Sequence, residues 1–279
     1  MRWTPGGRSE NVEDRRGTRM RAGAGIGLGG LLILGLLTLV TGRNFLSLAP
    51  LLESQGPTVQ QEEGPIQSSP EEEKRVQFVS FVLDDAQNTW KQILGPRYHD
   101  TKLVLFRDAT ETGCGFGRAA TGPFYCPVDE KVYIDLGFYD ELQQRFGATG
   151  EFAQAYVLAH EIGHHVQKQA GIERAVREQQ SAHPGEANEL SVRLELQADC
   201  FAGVWGHSTA RRDLLDPGDV DEGLAAAAAV GDDRIQEMAT GDVHPESFTH
   251  GSSQQRAEWF RRGFESGDPK FCDTFGTSD

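Results

Sequence analysis

His160, Glu161 and His164 stand in the order H-E-x-x-H, inside a stretch, Glu151 to Ala170, whose apolar pattern predicts a helix. Residues four apart share one face of a helix, so His160 and His164 can present two imidazole nitrogens to a single metal ion. Glu161 lies roughly 100° further round. That takes it out of the same coordination sphere but leaves it within reach of a water on the metal. Two imidazoles with an adjacent carboxylate suit zinc-assisted hydrolysis, with Glu161 as general base.

Leu190 to Ala210 reads as a second helix and carries Glu195 and Asp199, again four apart. A catalytic zinc takes three protein ligands and leaves one position open, so Glu195 is the expected third ligand and one Zn2+ the expected cofactor. Asp199 is expected to accept the other ring N–H of a ligand histidine and so fix its orientation. A solvated acidic face is the ordinary reading of such a pair. Here Leu190, Leu194, Leu196, Cys200, Phe201 and Trp205 mark the helix as mostly buried. Carboxylates among so many apolar neighbours need a partner.

Other elements must hold these two helices together. Phe152, Tyr156, Ala159 and Ile162 give the first one a buried stripe, with Thr149 as a candidate N-cap and Gly171 as its stop. Ser69-Pro70-Glu71-Glu72 opens a scaffold helix that runs to about Ile93. Leu103 to Arg107 predicts a strand, and Phe124–Cys126 with Val132–Asp135 a strand pair. Phe138 to Phe146 predicts a short helix, and Gly171 to Gly185 a loop or broken helix. Asp219 or Asp221 opens a helix through the alanines at 225–229, and Ser252 with Gln255 opens the last one.

The chain has 279 residues and a net charge of −15, which argues against a nucleic-acid partner. Residues 1–21 are polar and predict a disordered tail. Residues 22–42 carry no charge and are rich in Leu, Ile and Gly, the length and character of a transmembrane helix. Arginines crowd its N-terminal side, which places the N-terminus in the cytoplasm and the rest outside. A cleaved leader starting near Met20 is the rival reading. Residues 43–68 read as a flexible linker and residues 69–279 as the extracytoplasmic domain. The expected localisation is therefore the cell membrane, spanned once. Cys114, Cys126, Cys200 and Cys272 show no C-x-x-C spacing and predict two disulfides. Of three connectivities, Cys114–Cys126 and Cys200–Cys272 are favoured.

H-E-x-x-H followed by E-x-x-x-D on a second helix resembles the gluzincin pattern of zinc metallopeptidases. Gly113-Cys114-Gly115, Tyr125-Cys126-Pro127, Val132 to Leu136, and His250-Gly251-Ser252 through Cys272 to Phe275 widen the likeness to the bacterial neutral zinc metallopeptidase family, over roughly residues 74–276. The resemblance implies an α+β, mainly helical zincin-like domain, with a small, mostly antiparallel sheet, behind one transmembrane helix. It implies a membrane-anchored peptidase acting on peptide or protein substrates. It places the substrate along an edge strand at Lys131 to Leu136, with Tyr133, Ile134 and Asp135 central. His250, and after it His244, is the candidate for a catalytic group assisting at the oxyanion. His165, one step round from His164, is expected to be structural. The competing expectation is a zinc-binding membrane scaffold or regulator without turnover.

Overall fold

In the computed structural model, which describes residues 1–21, 60–119 and 122–276, the chain divides into two compact units. One comprises Met1–Arg15 with Ser68–Asp279, the other Arg16–Gln67. The first unit opens on strand β1 (Val12–Asp14). The second contains β2 (Thr18–Arg21) and β3 (Gln60–Glu63), paired antiparallel with Thr18 opposite Glu63.

The first unit resumes with α1 (Pro70–Leu94). The Ser69 side chain accepts from the Glu72 N–H, Pro70 takes the first turn, and Glu71, Glu72 and Glu73 complement the helix dipole there. Its inner face buries Val76, Val79, Leu83, Ala86 and Trp90. Next come β4 (Lys102–Phe106), the hairpin of β5 (Ala109–Thr112) and β6 (Gly115–Arg118), then β7 (Phe124–Cys126) and β8 (Lys131–Asp135). The alternation of a strand sorts β4 and β8 between two faces. Leu103, Leu105, Val132 and Ile134 join the main core, while Val104, Phe106 and Tyr133 pack with Cys126 on the other side.

The sheet runs in the order β1-β4-β8-β7. β1 and β4 pair in parallel, as do β4 and β8, and only β7 runs antiparallel. The sheet is thus mixed rather than mostly antiparallel. The hairpin signal between β7 and β8 was local, whereas the parallel pairings join distant segments.

Seven helices follow: α2 (Phe138–Phe146), α3 (Glu151–Gln169), α4 (Ile172–Ala182), α5 (Ala187–Arg211), α6 (Asp219–Ala229), α7 (Asp232–Thr240) and α8 (Ser253–Ser266). Gly150, not Thr149, caps α3, and Gly171 in the left-handed region turns the chain straight into α4, the broken-helix alternative of the two readings for residues 171–185. The capping box of Ser252 and Gln255 is formed at α8. Phe152 and Trp205 stack across α3 and α5 at 5.7 Å, and Phe260 of α8 meets Phe152 and Tyr156. Gly203 and Gly263 bring α5 and α8 into backbone contact. A Cβ on either would overlap a carbonyl oxygen of the other helix, that of Phe260 or of Cys200.

Two expectations are corrected. Residues 1–15, expected to be a disordered tail, are part of the folded unit. β1 extends the sheet, Trp3 packs edge-on to Phe78 at 5.3 Å, and its indole N–H donates to Glu151 at the start of α3. The proposed transmembrane helix at 22–42, and most of the linker, lie outside the described residues. Among the described residues no helix is long and apolar enough to cross a membrane. A single crossing there would put Met1–Arg15 and Ser68–Asp279 on opposite faces, which their packing into one unit contradicts. The single-pass topology, and the localisation drawn from it, are therefore withdrawn.

Disulfides join Cys114 to Cys126 and Cys200 to Cys272, the favoured pairing. The second closes a separation of 72 residues and ties the tail to α5. Chain entropy makes such a loop worth about 4 kcal/mol. Replacing Cys200 and Cys272 by serine should lower the stability to denaturant by about that amount, measured as the unfolding midpoint, whereas the Cys114–Cys126 pair should cost less.

Candidate metal centre

α3 and α5 cross in the core and bring their marked residues together. His160 Nε2 lies 3.2 Å from Glu195 Oε2, and His164 Nε2 lies 3.5 Å from Glu195 Oε1. One donor atom from each of the three residues falls within 4.8 Å of the others. Donors around a tetrahedral zinc stand about 3.3 Å apart for bonds of ~2.0–2.1 Å. The donor set is one that binds zinc, and the two separations to Glu195 match that spacing. The site sits at the floor of a cleft of about 570 Å³ that Glu161, Tyr125 and His250 also line. Glu161 is nearly buried, and its carboxylate makes no hydrogen bond among the described residues.

Each of the two histidines is held from behind. His160 Nδ1 lies 2.8 Å from Asp199 Oδ1, as the sequence led us to expect. Asp199 is fully buried and also accepts from the Tyr156 hydroxyl and from Arg256, whose Nε is at 2.8 Å and whose terminal nitrogen is at 3.0 Å. Arg256 further donates to the Val230 carbonyl at 3.0 Å and stands 4.0 Å from Glu195. His164 Nδ1 faces Gln167 Oε1 at 2.9 Å. Gln167 Nε2 donates to the Leu194 carbonyl at 2.7 Å and to Gln197 Oε1 at 3.1 Å. Arg256, Tyr156, Gln167 and Gln197 were not found from sequence. Gln167 and Tyr156 each had a signal, one turn from His164 and from His160 on the same face.

The charges are strongly coupled. Burial opposes ionisation of Asp199, but Arg256 and His160 hold its carboxyl below the usual range. Burial also opposes ionisation of Glu195, and His164, His160 and Arg256 outweigh it, driving the carboxyl far down. His160 loses to burial but gains more from Asp199 and Glu195, and its imidazole is pushed up to about 10. A metal must displace that proton. Zinc affinity should therefore rise with pH, about tenfold per unit through the neutral range for one proton released. Chelator competition at several pH values measures the slope, and a flat profile would contradict it.

The other candidates divide. His250 lines the cleft at half exposure, and Asp232 anchors it through Nδ1 at 3.1 Å and the backbone N–H at 2.6 Å. The hydrogen bond to Asp232 raises its pKa. His244 is exposed and faces Glu246 at 3.4 Å, away from the cleft lining. His165 turns from the site, with the Tyr125 hydroxyl on Nδ1 at 2.9 Å and the His99 carbonyl on Nε2 at 2.8 Å, in keeping with a structural role. The substrate-strand expectation is corrected. β8 is interior, flanked by β4 and β7, and Tyr133 is buried against Phe124. Asp135 is committed to the backbone N–H groups of Asp108 and Gly137. Ile134 faces the core. The outermost strand beside the cleft is β7, whose Phe124 and Tyr125 line it.

The family described as "Putative neutral zinc metallopeptidase" matches residues 1–275. An Escherichia coli K12 protein, "Uncharacterized protein YpfJ", is 50% identical over 289 residues, covering 100% of both chains. A Mycobacterium tuberculosis H37Rv protein, "Uncharacterized protein Rv2575", is 48% identical over 201 residues, 68% of this chain and 67% of that one. No solved structure matches.

Proposed function

The chain belongs to this zinc metallopeptidase family, and we propose that it hydrolyses peptide bonds of the gluzincin kind at the cleft over His160, His164 and Glu195. The observation that carries the proposal is the meeting of those three donors within 4.8 Å of one another, in one cleft with Glu161, a carboxylate that has no hydrogen-bond partner among the described residues. Zinc, when bound by the three, supplies Lewis-acid polarisation of the scissile carbonyl and a more acidic water.

The chain's own groups do the rest. Glu161 takes the proton of the attacking water and returns it to the leaving amine, a role suited to a carboxylate on the cleft floor. Asp199 holds the Nδ1–H of His160, so that Nε2 faces Glu195 and the ion. His250, steadied by Asp232 through Nδ1, keeps Nε2 for the substrate carbonyl oxygen as charge develops there. β7 is the strand along which an extended peptide would lie, replacing the interior β8 in that role.

Digestion of a peptide library by the purified chain tests this. Cleavage should vanish with chelator and return with zinc. His250→Ala should lower kcat by about 10²-fold with the zinc content unchanged. Stoichiometric zinc with no cleavage of any peptide would favour the scaffold reading instead.

A further inference from the structure

The histidines are supported in two different ways. Asp199 is an anion and can only accept, so it dictates the state of His160 directly. Gln167 is an amide, and an amide can face either way round. Something else must decide which end it turns to His164.

The deciding groups are two backbone carbonyls, one beside Gln167 and one at the far end of a chain of hydrogen bonds. The Cys272 carbonyl can only accept, and it takes its bond from Gln197 Nε2 at 2.9 Å. That fixes Gln197 with Oε1 toward Gln167, whose Nε2 donates to it at 3.1 Å. The same Nε2 donates to the Leu194 carbonyl at 2.7 Å, a second group that can only accept. Gln167 Oε1 is left for His164, at 2.9 Å from Nδ1. A neutral imidazole there must carry its proton on Nδ1 and leave the Nε2 lone pair toward Glu195 and the ion. Reversing one amide would set oxygen against oxygen at a buried contact, since Gln167 and Gln197 are both almost wholly buried.

We propose that Gln167 and Gln197 are positioning residues for the metal centre: with the Leu194 and Cys272 carbonyls as its fixed points, their hydrogen-bond chain sets the tautomer of His164 and thereby its readiness to ligate zinc. The Cys200–Cys272 disulfide holds the Cys272 end in place. The inference rests on His164 as a zinc ligand, but the tautomer is read without zinc, so the two can fail separately.

The test is the nitrogen-15 spectrum of the His164 ring in the zinc-free, full-length protein at mildly alkaline pH. The neutral ring should be protonated at Nδ1. In Gln167→Leu, which removes the amide facing His164, both tautomers should appear; in Gln197→Met the Leu194 carbonyl still orients Gln167, and the Nε2-protonated form should appear only as a minor share. Zinc dissociation constants from chelator competition should rise by about tenfold or more in Gln167→Leu, and by less in Gln197→Met. A merely structural role would lower thermal stability without moving tautomer or affinity. A wild-type ring protonated at Nε2 would overturn the inference without any variant. So would folded variants that keep both the wild-type tautomer and the wild-type zinc affinity.

Discussion

Glu161→Gln should stop peptide hydrolysis while the protein still folds and still binds zinc. The side chain is nearly buried at the cleft floor, but no hydrogen bond within the described residues depends on its charge. Glutamine keeps the volume and removes only the ability to take a proton. General-base contributions run from about 10² to 10⁴ in rate. The upper part of that range is expected here, because Glu161 would serve both the water and the leaving amine. The measurement is kcat on a cleaved peptide beside zinc stoichiometry and thermal midpoint. Loss of activity together with loss of zinc would mean that Glu161 holds the ion rather than the proton.

Asp199→Ala should damage both stability and metal binding. Asp199 is fully buried and is the anion between His160 and Arg256. Removing it strands a guanidinium that is itself only 4% exposed. Breaking one side of a buried pair costs roughly 3–5 kcal/mol. Loss of the hydrogen bond behind His160 should also weaken zinc binding by about 10–100-fold. The double variant Asp199→Leu with Arg256→Met separates the two effects. An apolar pair of similar volume should recover much of the stability, but not the zinc affinity. Recovery of both would make the pair a packing device only.

The candidate metal site was legible because its donors are written in local spacing. His160 with His164, and Glu195 with Asp199, each sit one helical turn apart, and the helix converts that spacing into a shared face. Ser69 and Ser252 announced their helices in the same local way. What escaped was non-local. Arg256 reaches Asp199 across 57 residues, and nothing in its own neighbourhood marks it as a core residue. β1 joins β4 across about ninety residues, in parallel, where no hairpin signal exists. Tyr133 and its neighbours carry an ordinary strand pattern, and only the strand order decides that this strand is interior. The charge-free run at 22–42 suggested a membrane span by length alone, and the packing of Met1–Arg15 was invisible to that argument.

That packing makes the catalytic body discontinuous along the polypeptide, with residues 16–67 inserted between its outermost strand and its first helix. A fragment trimmed to begin at Ser69, the boundary that composition suggests, would leave the outer rim of β4 with unclaimed amide and carbonyl groups. Bare rims of this kind recruit strands from other molecules. Such a fragment would be an unreliable stand-in for the enzyme, and clumping in solution would report its missing piece rather than its natural state of assembly.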